Sequence, residues 1–195
     1  MPNLINASTS SGLVQTADTS GTIELQSNGT TRLTVASTGA YGQLVSATAQ
    51  ASTSGTSIDF TSIPSWVKRI TVLLSGVSTS GTSFKQIQIG AGSVVTTGYA
   101  GSASVMSAAV GTTSFTTGFG IRSNAAADSI SGISIITNIS GNTWVCSTNT
   151  SNSTTETSVA SGILALGGTL DRIRITTVNG TDTFDAGTIN ILYEG

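Results

Sequence analysis

Apolar and polar residues alternate with a period of two along much of this chain, in short runs cut by glycine, asparagine and serine. Thr22-Ile23-Glu24-Leu25-Gln26 alternates, breaks at Ser27-Asn28-Gly29-Thr30, and resumes as Thr31-Arg32-Leu33-Thr34-Val35. Asn-Gly between two alternating runs is a strong hairpin signal, because both residues tolerate the positive φ of a tight turn. In that hairpin Ile23 and Leu25 would share one face, as would Leu33 and Val35. Such a hairpin is marginal alone in water and must lie against something else.

Between Gln43 and Gly55 the chain loses its aliphatic bulk. The boundary falls there, with residues 1–45 as an N-terminal anchor or assembly segment and residues 46–195 as a head. In the head the alternation predicts strands over Thr56–Phe60, over Trp66–Ser75, and over Phe84–Gly90. Ile70, Val72 and Leu74 line one side of the second; Ile87 and Ile89 alternate with Gln86 and Gln88 in the third. The Gly/Ala/Ser-rich stretch 91–111 predicts loops and short strands. Phe115, Phe119 and Ile121 read as one side of a single strand. Ile130–Ile136 and Thr143–Ser147 read as an antiparallel pair about Ser140-Gly141, and Thr155–Ala160 as a weaker strand. Gly162–Gly168 reads as a loop or a single helical turn, and Arg172–Thr176 and Thr188–Tyr193 as two closing strands. No sustained i, i+3, i+4 apolar pattern occurs. The prediction is an all-β chain: an antiparallel β-sandwich or jelly-roll-like head preceded by a short β-hairpin anchor.

Composition changes the picture in one direction. Serine and threonine supply 31 and 34 of 195 residues, charged residues only 8%, and the net charge is −2. A mean hydropathy of +0.23 is enough for a packed aliphatic core and argues against wholesale disorder. A surface this neutral has little colloidal repulsion, so the chain is expected to assemble with copies of itself or to be displayed on something larger. The seven basic residues are scattered, whereas phosphate binding needs a concentrated patch, so nucleic acid is not expected as a partner. No apolar run approaches the roughly 18 residues of a membrane span. Met1-Pro2-Asn3-Leu4-Ile5-Asn6 has neither the charged nor the apolar region of a secretory signal, so synthesis in a cytoplasm is expected.

Candidate chemistry is sparse. There is no histidine, which removes a Ser/His/Asp triad and the commonest general base at neutral pH. Asp182-Thr183-Phe184-Asp185-Ala186-Gly187 is the one close acidic group and lacks the ligand spacing of a calcium loop, so no metal and no cofactor are expected. Nothing singles out a carboxylate pair for glycoside hydrolysis. Cys146, within Thr143-Trp144-Val145-Cys146, reads as a small buried hydrophobe. Trp66 and Trp144 read first as core or interface aromatics; Trp66, beside Lys68 and Arg69, is also the candidate for stacking on a sugar.

Three segments carry a resemblance. They are Gly12-Leu13-Val14-Gln15-Thr16-Ala17-Asp18-Thr19-Ser20-Gly21, the run from Ser57 to Val72, and the ending Ala186-Gly187-Thr188-Ile189-Asn190-Ile191-Leu192-Tyr193-Glu194. Together they resemble fibre and decoration proteins of tailed bacteriophages, the first segment like the stretch before the globular part, the others like the opening and closing strands of a β-sandwich tip. The resemblance implies a homotrimer on the virion surface. Its N-terminus would bind the major capsid protein or another virion protein, and its head could contact host cell-surface glycan. It carries over no catalytic residue. The anchor residues would be Leu13, Val14, Ile23, Leu25, Leu33 and Val35. The small size suits a capsid-surface head fibre; the alternatives are a receptor-binding tail-fibre tip and, further off, a polysaccharide-degrading tailspike.

Overall fold

The computed structural model describes residues 44–107, 111–123, 125–126, 128–152, 154 and 156–195, together with the backbone of three earlier strands. The chain divides into two compact units, Met1–Gly42 and Gln43–Gly195. In the first, β1 (Ile23–Ser27) pairs antiparallel with β2 (Thr30–Ala36), and β2 with β3 (Gly39–Ala40). The register sets Ile23 opposite Val35 and Leu25 opposite Leu33. Of the expected anchor residues, Leu13 and Val14 lie outside the described residues, as do the side chains of Ile23, Leu25, Leu33 and Val35.

The second unit is an all-β sandwich of two antiparallel sheets. Its strands are β4 (Val45–Ser46), β5 (Gln50–Ala51), β6 (Ser57–Thr61), β7 (Arg69–Thr79), β8 (Lys85–Ala91), β9 (Ser93–Val94) and β10 (Ala100–Met106). There follow β11 (Gly111–Phe115), β12 (Phe119–Ile121), β13 (Ile130–Ser140), β14 (Thr143–Asn152), β15 (Glu156–Ala165), β16 (Arg172–Thr177) and β17 (Phe184–Glu194). The large sheet runs β11-β10-β15-β14-β13-β7-β17-β4, with β5 beside β4 on the same edge of β17. The small sheet runs β12-β8-β16-β6, with β9 folded back on β8.

The period-two pattern explains the core. Ile70, Val72 and Leu74 of β7, Ile136 of β13, Cys146 of β14, and Ile189 and Ile191 of β17 point inward from the large sheet. They meet Ile58 and Phe60 of β6, Ile87 and Ile89 of β8, and Ile173 and Ile175 of β16 from the small one. Burying each such side chain stabilises the fold by about 1.5–3 kcal/mol relative to leaving it in water.

Four expectations need correction. Trp66 is not in a strand: Val67 N–H closes a turn onto the Pro64 carbonyl at 3.1 Å, and β7 starts at Arg69. Residues 100–106 form a full seven-residue strand despite their small side chains. The reason is a tight fit. A Cβ on Gly101 would come within 2.8 Å of the Ser161 carbonyl oxygen, and one on Gly162 within 3.0 Å of the Phe119 ring. The missing side chain of Gly162 makes room for that ring, which arrives from the opposite sheet, and that of Gly101 lets β10 close on the β15 backbone. The stretch 162–165, read as loop or helix, is the second half of β15.

Phe115 and Phe119 do not share a strand. Phe115 ends β11 at the edge of the large sheet, and Phe119 opens β12 in the small one. The three-residue crossover between them satisfies its polar groups through β8. Gln88 Nε2 donates to the Thr117 carbonyl at 2.8 Å, and Thr117 Oγ1 donates to Gln86 Oε1 at 2.8 Å. Gln86 and Gln88, polar by pattern, are therefore buried beneath it.

Candidate functional site

Two surfaces of the head offer recognition chemistry. The first is a cleft of about 260 Å³ along the open edge of the sandwich, where the margins of the two sheets part. Strands β4 and β5 bring Ala47, Thr48 and Gln50 to one wall, and the end of β6 brings Asp59, Thr61 and Ser62 to the other. Phe60, Ile63 and Ile191, all buried, give it an apolar floor, and Tyr193 of β17 stands at its rim.

Each polar wall is held in place. Gln50 Nε2 donates to the Asp59 carbonyl at 2.8 Å, tying the two walls together. The Asp59 carboxylate takes a two-pronged bond from Arg174, Nε to Oδ1 at 2.7 Å and Nη2 to Oδ2 at 2.8 Å. A bidentate guanidinium fixes the plane of the carboxylate and leaves each oxygen with acceptor capacity to spare. Ser62 has φ of 60°, a left-handed backbone rare for a side chain other than glycine or asparagine. That conformation costs about 1–2 kcal/mol, and the Ile63 N–H bond to the Asp171 carbonyl at 3.0 Å helps to hold it.

Trp66 stands beside this cleft. Its ring packs on Tyr193 with centroids 5.9 Å apart at 51°, and the residue is 39% exposed. Trp144, by contrast, is 4% exposed and belongs to the core. Of the two tryptophans, Trp66 is the one solvent can reach. Tyr193, Gln50, Asp59 and Ser62 had no distinguishing pattern in the sequence. The left-handed Ser62 just before Ile63-Pro64 was the nearest thing to a signal, and it exists only in three dimensions.

The second surface is the outward face of the large sheet. From β11 to β17 its rows carry serine, threonine, asparagine and aliphatic residues, with Leu73 opposite Ile133 and Val145 opposite Ile163. Ile133 is 39% and Ile163 41% exposed. Among the described outward residues the charges are confined to the ends: Arg69 with Glu194, paired at 3.1 Å, and Asp185, which accepts a bond from Ser78 Oγ. The outward face of the small sheet differs, carrying the Asp59–Arg174 and neighbouring Asp171–Arg172 pairs.

Of the remaining reactive groups, Cys146 and Lys85 are enclosed, while Asp171 and Asp182 are partly exposed. Burial pushes the Cys146 thiol up to about 12, and its sulfur lies 3.7 Å from Thr148 Oγ1. Lys85 is 1% exposed, and burial lowers its pKa against the opposing pull of Asp128, Asp185 and Asp182. Its Nζ donates to Ser123 Oγ at 3.2 Å. Asp171 is held below the usual carboxylate range chiefly by Arg172, and Asp182 chiefly by the Asn179 amide, with a bond from Ser83 N–H besides. Among the described residues no three of His, Cys, Asp or Glu gather as a metal-ligand set, and no helix is long and apolar enough to cross a membrane. No family model, curated protein or solved structure matches this chain.

Proposed function

We propose that this chain is a non-enzymatic structural protein of a phage virion, a trimeric fibre or decoration on the capsid surface. The observation that carries the reading is the broad outward face of the large sheet, with its charges confined to the ends. Two such faces brought together meet no like-charge repulsion and bury aliphatic side chains in matched cross-strand pairs. An exposed sheet of this extent is otherwise an invitation to uncontrolled association, which a closed oligomer prevents. Residues 1–45 then serve as the anchor to the particle, through main-chain pairing of the kind β1 and β2 display.

A tail-fibre tip is the second reading, favoured by the edge cleft with its exposed Trp66. Sedimentation of the purified chain should give a trimer, and labelled antibody on intact particles should decorate the head. Decoration of the tail selects the second reading, and a monomer with no particle labelling overturns both. Removing residues 1–45 should leave a folded head that no longer joins the particle.

A further inference from the structure

We infer that the edge cleft binds a neutral hexopyranose, presented as the terminal residue of a surface polysaccharide. The inference rests on the surface-fibre reading above and adds a ligand class and the residues that would meet it.

Three features of the cleft select this chemistry. The first is charge. Asp59 lines the cleft, but its carboxylate lies on the outward face of the small sheet and is neutralised by Arg174, and no cationic side chain lines the cleft. A phosphate or sulfate would find no free positive charge there, and an ammonium would find a carboxylate already paired. A neutral ligand meets neither cost.

The second feature is unspent hydrogen-bonding capacity. The side chains of Thr48, Thr61, Ser62 and Tyr193 make no hydrogen bond to another described residue, and Gln50 uses only its Nε2. Some hydroxyls elsewhere in the head are engaged, as in Ser134 with Thr148 at 2.8 Å or Thr176 Oγ1 to the Thr56 carbonyl at 2.8 Å. Adjacent hydroxyls of a pyranose, each both donor and acceptor, match walls that offer hydroxyls and an amide oxygen. The Gln50 bond to the Asp59 carbonyl sets the two walls before any ligand arrives, which lowers the ordering cost of binding.

The third is the aromatic rim. Tyr193 lines the cleft and Trp66 backs it at 5.9 Å, so an aromatic surface lies beside the polar wall. One face of a pyranose is lined by C–H groups and stacks on such a surface while its edges make the polar bonds. A volume of about 260 Å³ accommodates one ring and leaves the rest of the chain outside. Single-site affinity is therefore weak, and several copies on one particle raise it by multivalency.

The experiment is titration of the full chain with methyl glycosides of glucose, galactose, mannose and N-acetylglucosamine, followed by the indole N–H resonances of its two tryptophans. At least one sugar should shift the Trp66 signal saturably at millimolar concentration while the Trp144 signal stays still. Gln50→Ala and Tyr193→Phe should each weaken that sugar about threefold to tenfold, with the Trp144 resonance reporting an intact core. A polysaccharide ending in the same sugar should bind the assembled protein more tightly than the glycoside does. No saturable shift with any glycoside, or binding untouched by either substitution in a folded protein, overturns the inference. A trimer that labels the head but binds no sugar refutes this site alone. Sugar binding by a monomer that labels no particle leaves the site standing and refutes the virion role.

Discussion

At the scale of single residues, the buried ionisable groups make the most distinct statements. Lys85 is a cation placed where the neutral amine is favoured, so its pKa falls below the ordinary 10.5. The sign follows from linkage: the unfolded chain holds the proton more tightly than the native one. The resulting penalty is complete below the native pKa and disappears as pH climbs through the window up to 10.5. Lys85→Met should thus be the more stable protein at neutral pH, by about 1–2 kcal/mol. The gap should narrow as pH rises towards 10.5 in urea unfolding. A gap that stays constant would mean the lysine is not desolvated. Cys146 acts in the opposite sense, since its thiol ionises from 9.0 upward only when the chain unfolds. Comparing Lys85→Met with wild type at each pH cancels that contribution.

At the scale of elements, alternation succeeded where strands had aliphatic residues to alternate. β7, β8, β16 and β17 were legible because Ile, Val and Leu occupy every second position facing the opposite sheet. β10 was illegible for the complementary reason: its buried positions, Ala103 and Val105, stand among glycine and serine, and its close approach to β15 at Gly101 exists only in three dimensions. The break between Phe115 and Phe119 was hidden likewise, since spacing by two cannot reveal a change of sheet, and the glutamines that secure it read as ordinary solvent-facing positions. The cleft was out of reach because its walls, near each other in the chain, meet Ile191 of the floor and Tyr193 of the rim, more than a hundred residues on, only through the pairing of β4 and β5 with β17. Gly101→Ala tests the close approach of β10 to β15. It should cost about 1–3 kcal/mol in thermal or urea unfolding. Gly167→Ala, with nothing within 4 Å of the added carbon, should change stability far less.

At the scale of the whole head, the two outward faces divide the chemistry. The small sheet bears its ion pairs in the open, and the large sheet keeps its middle rows neutral. Ile133→Glu and Ile163→Glu place a carboxylate in those rows at positions already partly exposed, so the fold should tolerate them. Repeated around a symmetric assembly, each such charge confronts its own copies. The expected outcome is dissociation in sedimentation with little change in the secondary-structure signal of the monomer. An unaltered oligomer would place the contact elsewhere.

The bareness of that face also bears on the medium in which it works. Screening by dissolved ions weakens contacts between exposed charges over about 10 Å at 0.1 M and over shorter distances as salinity rises. Aliphatic and hydroxyl rows offer almost nothing for those ions to screen. An assembly joined there would keep its cohesion from the interior of a bursting cell to rainwater or brine, where one stitched by lysines and glutamates would tighten and loosen with every dilution.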